Sequence, residues 1–179
     1  MLDKVLEFQR IKIKEVLTKA DVAIDATCGN GFDTHFLADL AKKVYAFDIQ
    51  EEAFNNTKEK LKDYKNVCFC KTSHENIKDY VKEEIKVCMF NLGFLPKGDK
   101  NITTKAETTL IALKQTLALL KKQGIITLVC YEGHPEGEKE SIVIQSFLKT
   151  LNQKEFQVLK YEFINQVNYP PYLLIIEKI

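Results

Sequence analysis

The residue types best suited to chemistry gather in AIDATCGNGFDTHFLA, residues 23–38. Apolar residues lead into this stretch and a helical period leads out of it. Gly29, Asn30 and Gly31 therefore fall at the junction of a strand and a helix. The glycines let the backbone pass close beneath a ligand, and the helix amino terminus beyond offers N–H groups without intrahelical partners. A dinucleotide fingerprint would read GxGxxG. Here the run is G-N-G-F-D-T, without the third glycine that packs helix on strand beside a pyrophosphate. Asp25 and Asp33 flank the turn instead. Carboxylates repel phosphates and attract cations, so the pocket suits S-adenosylmethionine, with its ammonium and sulfonium, better than NAD.

The next apolar run, VYAFDIQ, ends in Asp48, at the place where an acid closing a second strand accepts both hydroxyls of a ribose. The plainer use of Asp48 is to cap the helix that follows. Ile49 and Gln50 come next, where an adenine would lie. Ser73 and His74, in KTSHEN, are expected to face the adenine edge, although a lone histidine is often structural. A fourth apolar run opens into FNLGFLPKGDK. Amino-group methyltransferases carry Asp or Asn followed by Pro-Pro and an aromatic residue at this place, and the polar group there holds the target amine. The present version is Asn91-Leu92-Gly93-Phe94, without the prolines, so the implied chemistry is related and not identical.

These residues need a frame that brings them to one edge. The patterning predicts helices at 2–18, 32–41, 51–63, 75–82 and 136–151, and another through TLIALKQTLALL, with Gly124 as its C-cap. Strands are expected at 22–26, 43–47, 66–70, 85–91 and 125–131, then near 156–163 and 172–178. Strands alternating with helices build a parallel sheet covered on both faces. The last two strands are joined without a helix, which suits an antiparallel neighbour. The reading is α/β: a Rossmann-like class I methyltransferase with a seven-stranded, mostly parallel sheet and an antiparallel last strand. A single domain is expected over 1–179, with the helix within 1–19 on or beside the core.

The 179 residues are 45% hydrophobic and 28% charged, with a formal net charge of +1, the balance of an ordinary globular chain. No apolar run approaches the roughly 18 residues of a membrane span and no signal-peptide pattern opens the chain, so a cytoplasmic location is expected. The charge neither favours nor excludes nucleic acid, because lysines can gather on one face of a neutral protein. Five cysteines without a CxxC pair read as reduced core thiols, and Cys28 as a small space-filler within the turn. Methyl transfer needs no metal, and no ligand cluster is visible.

Taken together, DATCGNGFDTHFLA, FDIQ, SHEN, FNLGFLPKGDK, YEGHPEGEKE and NQVNYPPYLLIIEK resemble the YtqB/MnmM-like family, long labelled rRNA methylases. The resemblance runs over roughly residues 20–179, with one departure, Pro135 in place of a common glycine. It implies an S-adenosylmethionine-dependent enzyme that methylates 5-aminomethyluridine at the tRNA wobble position, with the anticodon stem-loop as partner, no membrane, and a homodimer left open. Carried over by position, Asp25, Thr27, Asn30, Gly31, Asp33, Thr34, Asp48, Gln50, Ser73, His74, Asn91 and Gly93 would hold the cofactor. Lys100, Thr104, Tyr131, His134, Tyr169, Pro170 and Tyr172 would face the substrate. Asn91 and His134 would be catalytic, His134 as the proton acceptor if one is used; a structural histidine in a tight turn is the other reading. Tyr169 to Tyr172 reads either as a stiff entry to a strand or as an aromatic face for a base. The rival readings are a methyltransferase for rRNA or a small amine, and a catalytically idle cofactor- or RNA-binding module.

Overall fold

A computed structural model of the chain describes residues 1–93 and 103–179. Its strands are β1 (Val22–Asp25), β2 (Lys43–Phe47), β3 (Val67–Cys70), β4 (Ile85–Asn91), β5 (Leu120–Cys130), β6 (Phe156–Tyr161) and β7 (Tyr172–Lys178). They form one sheet in the order β3-β2-β1-β4-β5-β7-β6. The first five strands are parallel, and β7 runs antiparallel to both its neighbours. The last strand therefore inserts between β5 and β6. Residues 172–176 are buried, as YLLII demands with no polar face to show water, while β6 becomes the edge with Val158 and Leu159 exposed.

The helices are α1 (Val5–Val16), α2 (Phe32–Leu40), α3 (Glu51–Lys60), α4 (Ile77–Tyr80), α5 (Ala106–Leu119) and α6 (Pro135–Leu148). Strand alternation divides the core between the two faces of the sheet. Ile24 and Phe90 join Leu113 and Ile144 on one side, while Ala23 and Met89 join Ile13 and Leu37 on the other. The helix α1 lies on that second side. Val5, Gln9 and Ile13 are its buried stripe, and Gln9 Nε2 donates to Thr127 Oγ1 on β5 at 2.9 Å.

Three expectations change. Gly124 does not cap a helix: α5 ends at Leu119, β5 begins at Leu120, and its pairing with β4 shifts register between Ile85 and Val87. A Cβ on Gly124 would lie 2.8 Å from the carbonyl oxygens of Lys121 and Lys86, so this glycine permits a close backbone approach. The helix foreseen at 75–82 is a 3-10 turn at His74–Asn76 followed by the single turn of α4. Four cysteines are buried, but Cys68, on the edge strand β3, is exposed. Burial pushes the Cys70 and Cys130 thiols up to about 12, which leaves them protonated and unreactive.

Candidate active site

A cavity of about 650 Å³ opens over the carboxyl ends of β2, β1 and β4, where open α/β sheets bind ligands. Its wall is made by residues 26–30, 48–50, 72–75, 91–93 and 103–105, with Tyr131 at one rim and Leu6 and Arg10 of α1 at another. The loops after the first four strands thus converge, as the order of motifs in the chain required. The contribution of α1 did not show in the sequence, where Leu6 and Arg10 look like parts of an amphipathic surface.

The glycine turn is held from beneath. Gly31 has φ 75, and a Cβ there would lie 2.9 Å from the Thr57 side chain. Thr57 Oγ1 in turn donates to the Gly29 carbonyl at 2.7 Å. Gly31 therefore faces α3 and stands behind the cavity wall, so its missing side chain serves the shape of the turn rather than space for a ligand. Asp48 Oδ2 accepts from the Gly29 N–H at 2.8 Å and Oδ1 from the Gln50 N–H at 2.9 Å. Each oxygen keeps a lone pair, the number that a ribose diol needs.

Asp25 also sits behind the wall. It is 1% exposed and accepts from Thr34 Oγ1 at 2.6 Å and from the Thr27 N–H at 3.2 Å. Burial, with Asp33 and then Asp48 nearby, raises its pKa, so the carboxyl resists ionising until a cation arrives. Thr34 is fully buried and acts on Asp25, not on the cavity. Asp33 reaches the cavity with Arg10 Nη2 at 3.3 Å from one carboxylate oxygen and Asn91 Nδ2 bonded to the other. That bond orients the amide. Asn91 Oδ1 is shielded from solvent and meets no partner among the described residues. It is an acceptor waiting for a donor, inside a cavity whose acids favour cations.

His74 lines the cavity but is tied into the core. Its Nδ1 lies 3.2 Å from the Ala26 carbonyl, its Nε2 3.4 Å from Thr109 Oγ1, and burial lowers its pKa to about 4. It is neutral and structural at physiological pH. Ser73 lines the cavity beside it and caps the 3-10 turn by accepting from the Glu75 N–H. Sequence reasoning missed Glu140. This carboxylate is 2% exposed and accepts from Thr109 Oγ1 at 2.6 Å and Thr104 Oγ1 at 2.7 Å, while Thr104 accepts from the Gly93 N–H at 2.8 Å. Glu140 thus fastens the loop after β4 to α5 and α6. Its place on the buried stripe of α6, with Gly137, Ser141, Ile144 and Leu148, was the available signal.

The residues expected on the substrate side divide. Thr104 and Tyr131 line the cavity. His134 is the N-cap of α6, with Nδ1 accepting from the Gly137 N–H at 3.0 Å, and Pro135 fits the first turn of that helix. In the neutral ring this leaves the hydrogen on Nε2, so the capped histidine is a donor and not a proton acceptor. Tyr172 belongs to the core: it is 1% exposed, and its hydroxyl meets Ser141 and Gln145. Its ring is unavailable to a base. Tyr169 is 73% exposed with φ 50, outside the cavity wall, next to half-buried Pro170. Lys100 lies outside the described residues. No cluster able to hold a metal occurs among the described residues.

Comparison with known proteins agrees with this fold. A solved "putative rRNA-methylase" from Clostridium thermocellum is 43% identical, with a TM-score of 0.97 and full coverage of both chains. A "putative methyltransferase" from Streptococcus mutans, solved in complex with SAH, is also 43% identical over both full chains, with a TM-score of 0.95. Among curated proteins, the Arabidopsis thaliana chloroplastic tRNA (mnm(5)s(2)U34)-methyltransferase is 36% identical over 91% of this chain, which spans 65% of that relative's length. The family model described as "Putative rRNA methylase" matches residues 44–177. With the class I methyltransferase fold and these relatives, the chain belongs to the rRNA methylase family.

Proposed function

We propose that the protein is an S-adenosylmethionine-dependent N-methyltransferase that converts 5-aminomethyluridine at the tRNA wobble position to 5-methylaminomethyluridine. The observation that carries the reading is Asn91 Oδ1, an acceptor without a partner among the described residues, held in place by Asp33 at the end of β4. The S. mutans relative solved with SAH supports the cofactor, and the name of the A. thaliana relative supports the substrate.

The cofactor supplies an electrophilic methyl group on a sulfonium. Asp48 accepts the ribose hydroxyls with its remaining lone pairs, and the acids Asp25 and Asp33 balance the cationic end. An alkylammonium has no lone pair, so one proton must leave before attack. Asn91 Oδ1 accepts an N–H of the amine and aims its lone pair at the methyl carbon, so positioning supplies much of the rate. Asp33, bonded to the same amide, is the anion beside the departing proton. Lys100, Tyr169 and Pro170 are assigned to the anticodon loop, by phosphate attraction and by stacking on an unpaired base.

Mass spectrometry of nucleosides tests this. Incubation with tRNA carrying 5-aminomethyluridine should add one methyl to that nucleoside, and Asn91→Ala should lower kcat about 10- to 100-fold, the value of one positioned hydrogen bond. Methylation confined to ribosomal RNA or to a free metabolite would overturn the tRNA reading.

A further inference from the structure

The cofactor's methionine end is a zwitterion, and its two charges need opposite partners. Acceptors are plentiful around the cavity, with Asp33, Asp48 and Glu75 in its wall and Asp25 behind it. Cationic side chains are scarce. Among the described wall residues only Arg10 and Lys105 carry a positive charge, since His74 is neutral. They stand on different elements. Lys105 precedes α5, after the loop that leaves β4, whereas Arg10 reaches in from α1 and bonds Asp33.

The strand order β2-β1-β4 sets the direction of the ligand. With the ribose on Asp48 at the end of β2, the methionine portion runs across the end of β1 toward Asp33 and Asn91. Arg10 is therefore at the amino-acid end. Its side chain is 45% exposed and lies 5.2 Å over the Phe36 ring, which leaves guanidinium hydrogens beyond the Asp33 contact for another acceptor. The backbone of α1 is fixed for this task. Gln9 is pinned to Thr127, Phe8 stacks on Tyr161 with ring centroids 4.2 Å apart, and Tyr161 Oη donates to the Asp3 carbonyl at 2.7 Å. Arg10 follows the buried Gln9 by about 100° around the helix, which turns it from the sheet toward the cavity rim.

We propose that Arg10 binds the carboxylate of S-adenosylmethionine, so that the amino-terminal helix contributes a ligand to the cofactor site. This rests on the cofactor reading above. An Arg guanidinium suits the role because its planar fork matches a carboxylate while one edge still meets Asp33. The ammonium then lies toward the aspartates, and the two ends of the zwitterion are read separately.

The test compares S-adenosylmethionine with decarboxylated S-adenosylmethionine, which keeps the ammonium and sulfonium and lacks only the carboxylate. Calorimetry on the full chain should show wild type preferring the intact cofactor. Arg10→Ala should weaken the intact cofactor by about tenfold or more, the scale of a charge-assisted contact, and leave the decarboxylated one unchanged or tighter. Arg10→Lys should fall between, since it keeps the charge and loses the fork. Equal losses for both compounds would mean that Arg10 only props α1 and Asp33, and would overturn the proposal. So would no loss at all, or the selective loss appearing in Lys105→Ala instead. Wild-type protein that binds neither compound would instead overturn the cofactor reading on which the proposal stands.

Discussion

At the β1–β2 end of the cavity, the polar groups are already fastened by the protein itself. Asp48 holds two backbone N–H groups, Thr57 supports the glycine turn, and Thr34 and Thr27 hold Asp25. At the β4–β7 end the groups look outward. Asn91 Oδ1 has no partner among the described residues, and Ile164, Val167 and Tyr169 are exposed on the loop between β6 and β7. A small cofactor is favoured by a preorganised site, because less ordering is left to bind it. The outer rim is open by comparison. Glu140 sits between the two plans, a buried carboxylate that secures the base of the outer rim.

The contrast predicts unequal costs for changes at the two ends. The largest should come from Gly31→Val. A left-handed φ costs a branched residue about 1–2 kcal/mol, and the clash with Thr57 adds overpacking of a similar size or more. Chemical denaturation should show a stability loss of about 3 kcal/mol, whereas Gly133→Ala, with nothing within 4 Å, should be near neutral. Equal stability of the two variants would break the idea of a built cofactor turn.

Asp48→Ala comes next. It strands the Gly29 and Gln50 N–H groups and removes the acceptors for a ribose, so stability and cofactor affinity should fall together, by about 2 kcal/mol each. A folded variant with unchanged affinity by calorimetry would detach Asp48 from the site.

Asp25 gives a pH-dependent effect. Its carboxyl is raised from 3.8 to about 7 in the folded chain, so the native state keeps a proton that the unfolded state has lost. Its contribution to stability is therefore full below about pH 4 and declines as pH rises toward 7. A cation favours the ionised form, so cofactor affinity should rise with pH through that upper limit. Asp25→Asn should flatten both trends in denaturation and calorimetric series, and a wild-type affinity independent of pH between 6 and 8 would sink this account.

Tyr169→Ala should have the smallest effect on the protein itself, because the ring is 73% exposed. Melting temperature and cofactor affinity should be unchanged, while tRNA binding loses roughly 1–3 kcal/mol of stacking. A fall in cofactor affinity would show that the two ends are not separate.

Local pattern carried much of this molecule. The five parallel strands, the glycine turn and the acid ending β2 were readable because each depends on neighbours in sequence: a two-residue period, a turn residue, a strand end. What Gly31 must clear could not be read for the same reason, since those atoms belong to Thr57 on another element. The family resemblance put Tyr172 on the substrate side, yet insertion of β7 between β5 and β6 carries it into the core. His134 could be read as a catalytic residue or as a structural histidine in a tight turn, and only the observed turn shows it capping α6.

The amino-acid sequence by itself determined the element types, the parallel sheet and the place where a ligand must lie, because periodicity and chain order suffice for these. Only the tertiary structure decided which side chains meet there. Arg10 and Asp33 are brought together from α1 and α2, and Glu140 meets Thr104 and Thr109 from α6, the loop after β4 and α5. Such contacts depend on how helices pack across the sheet, a property of the whole chain that no local pattern encodes.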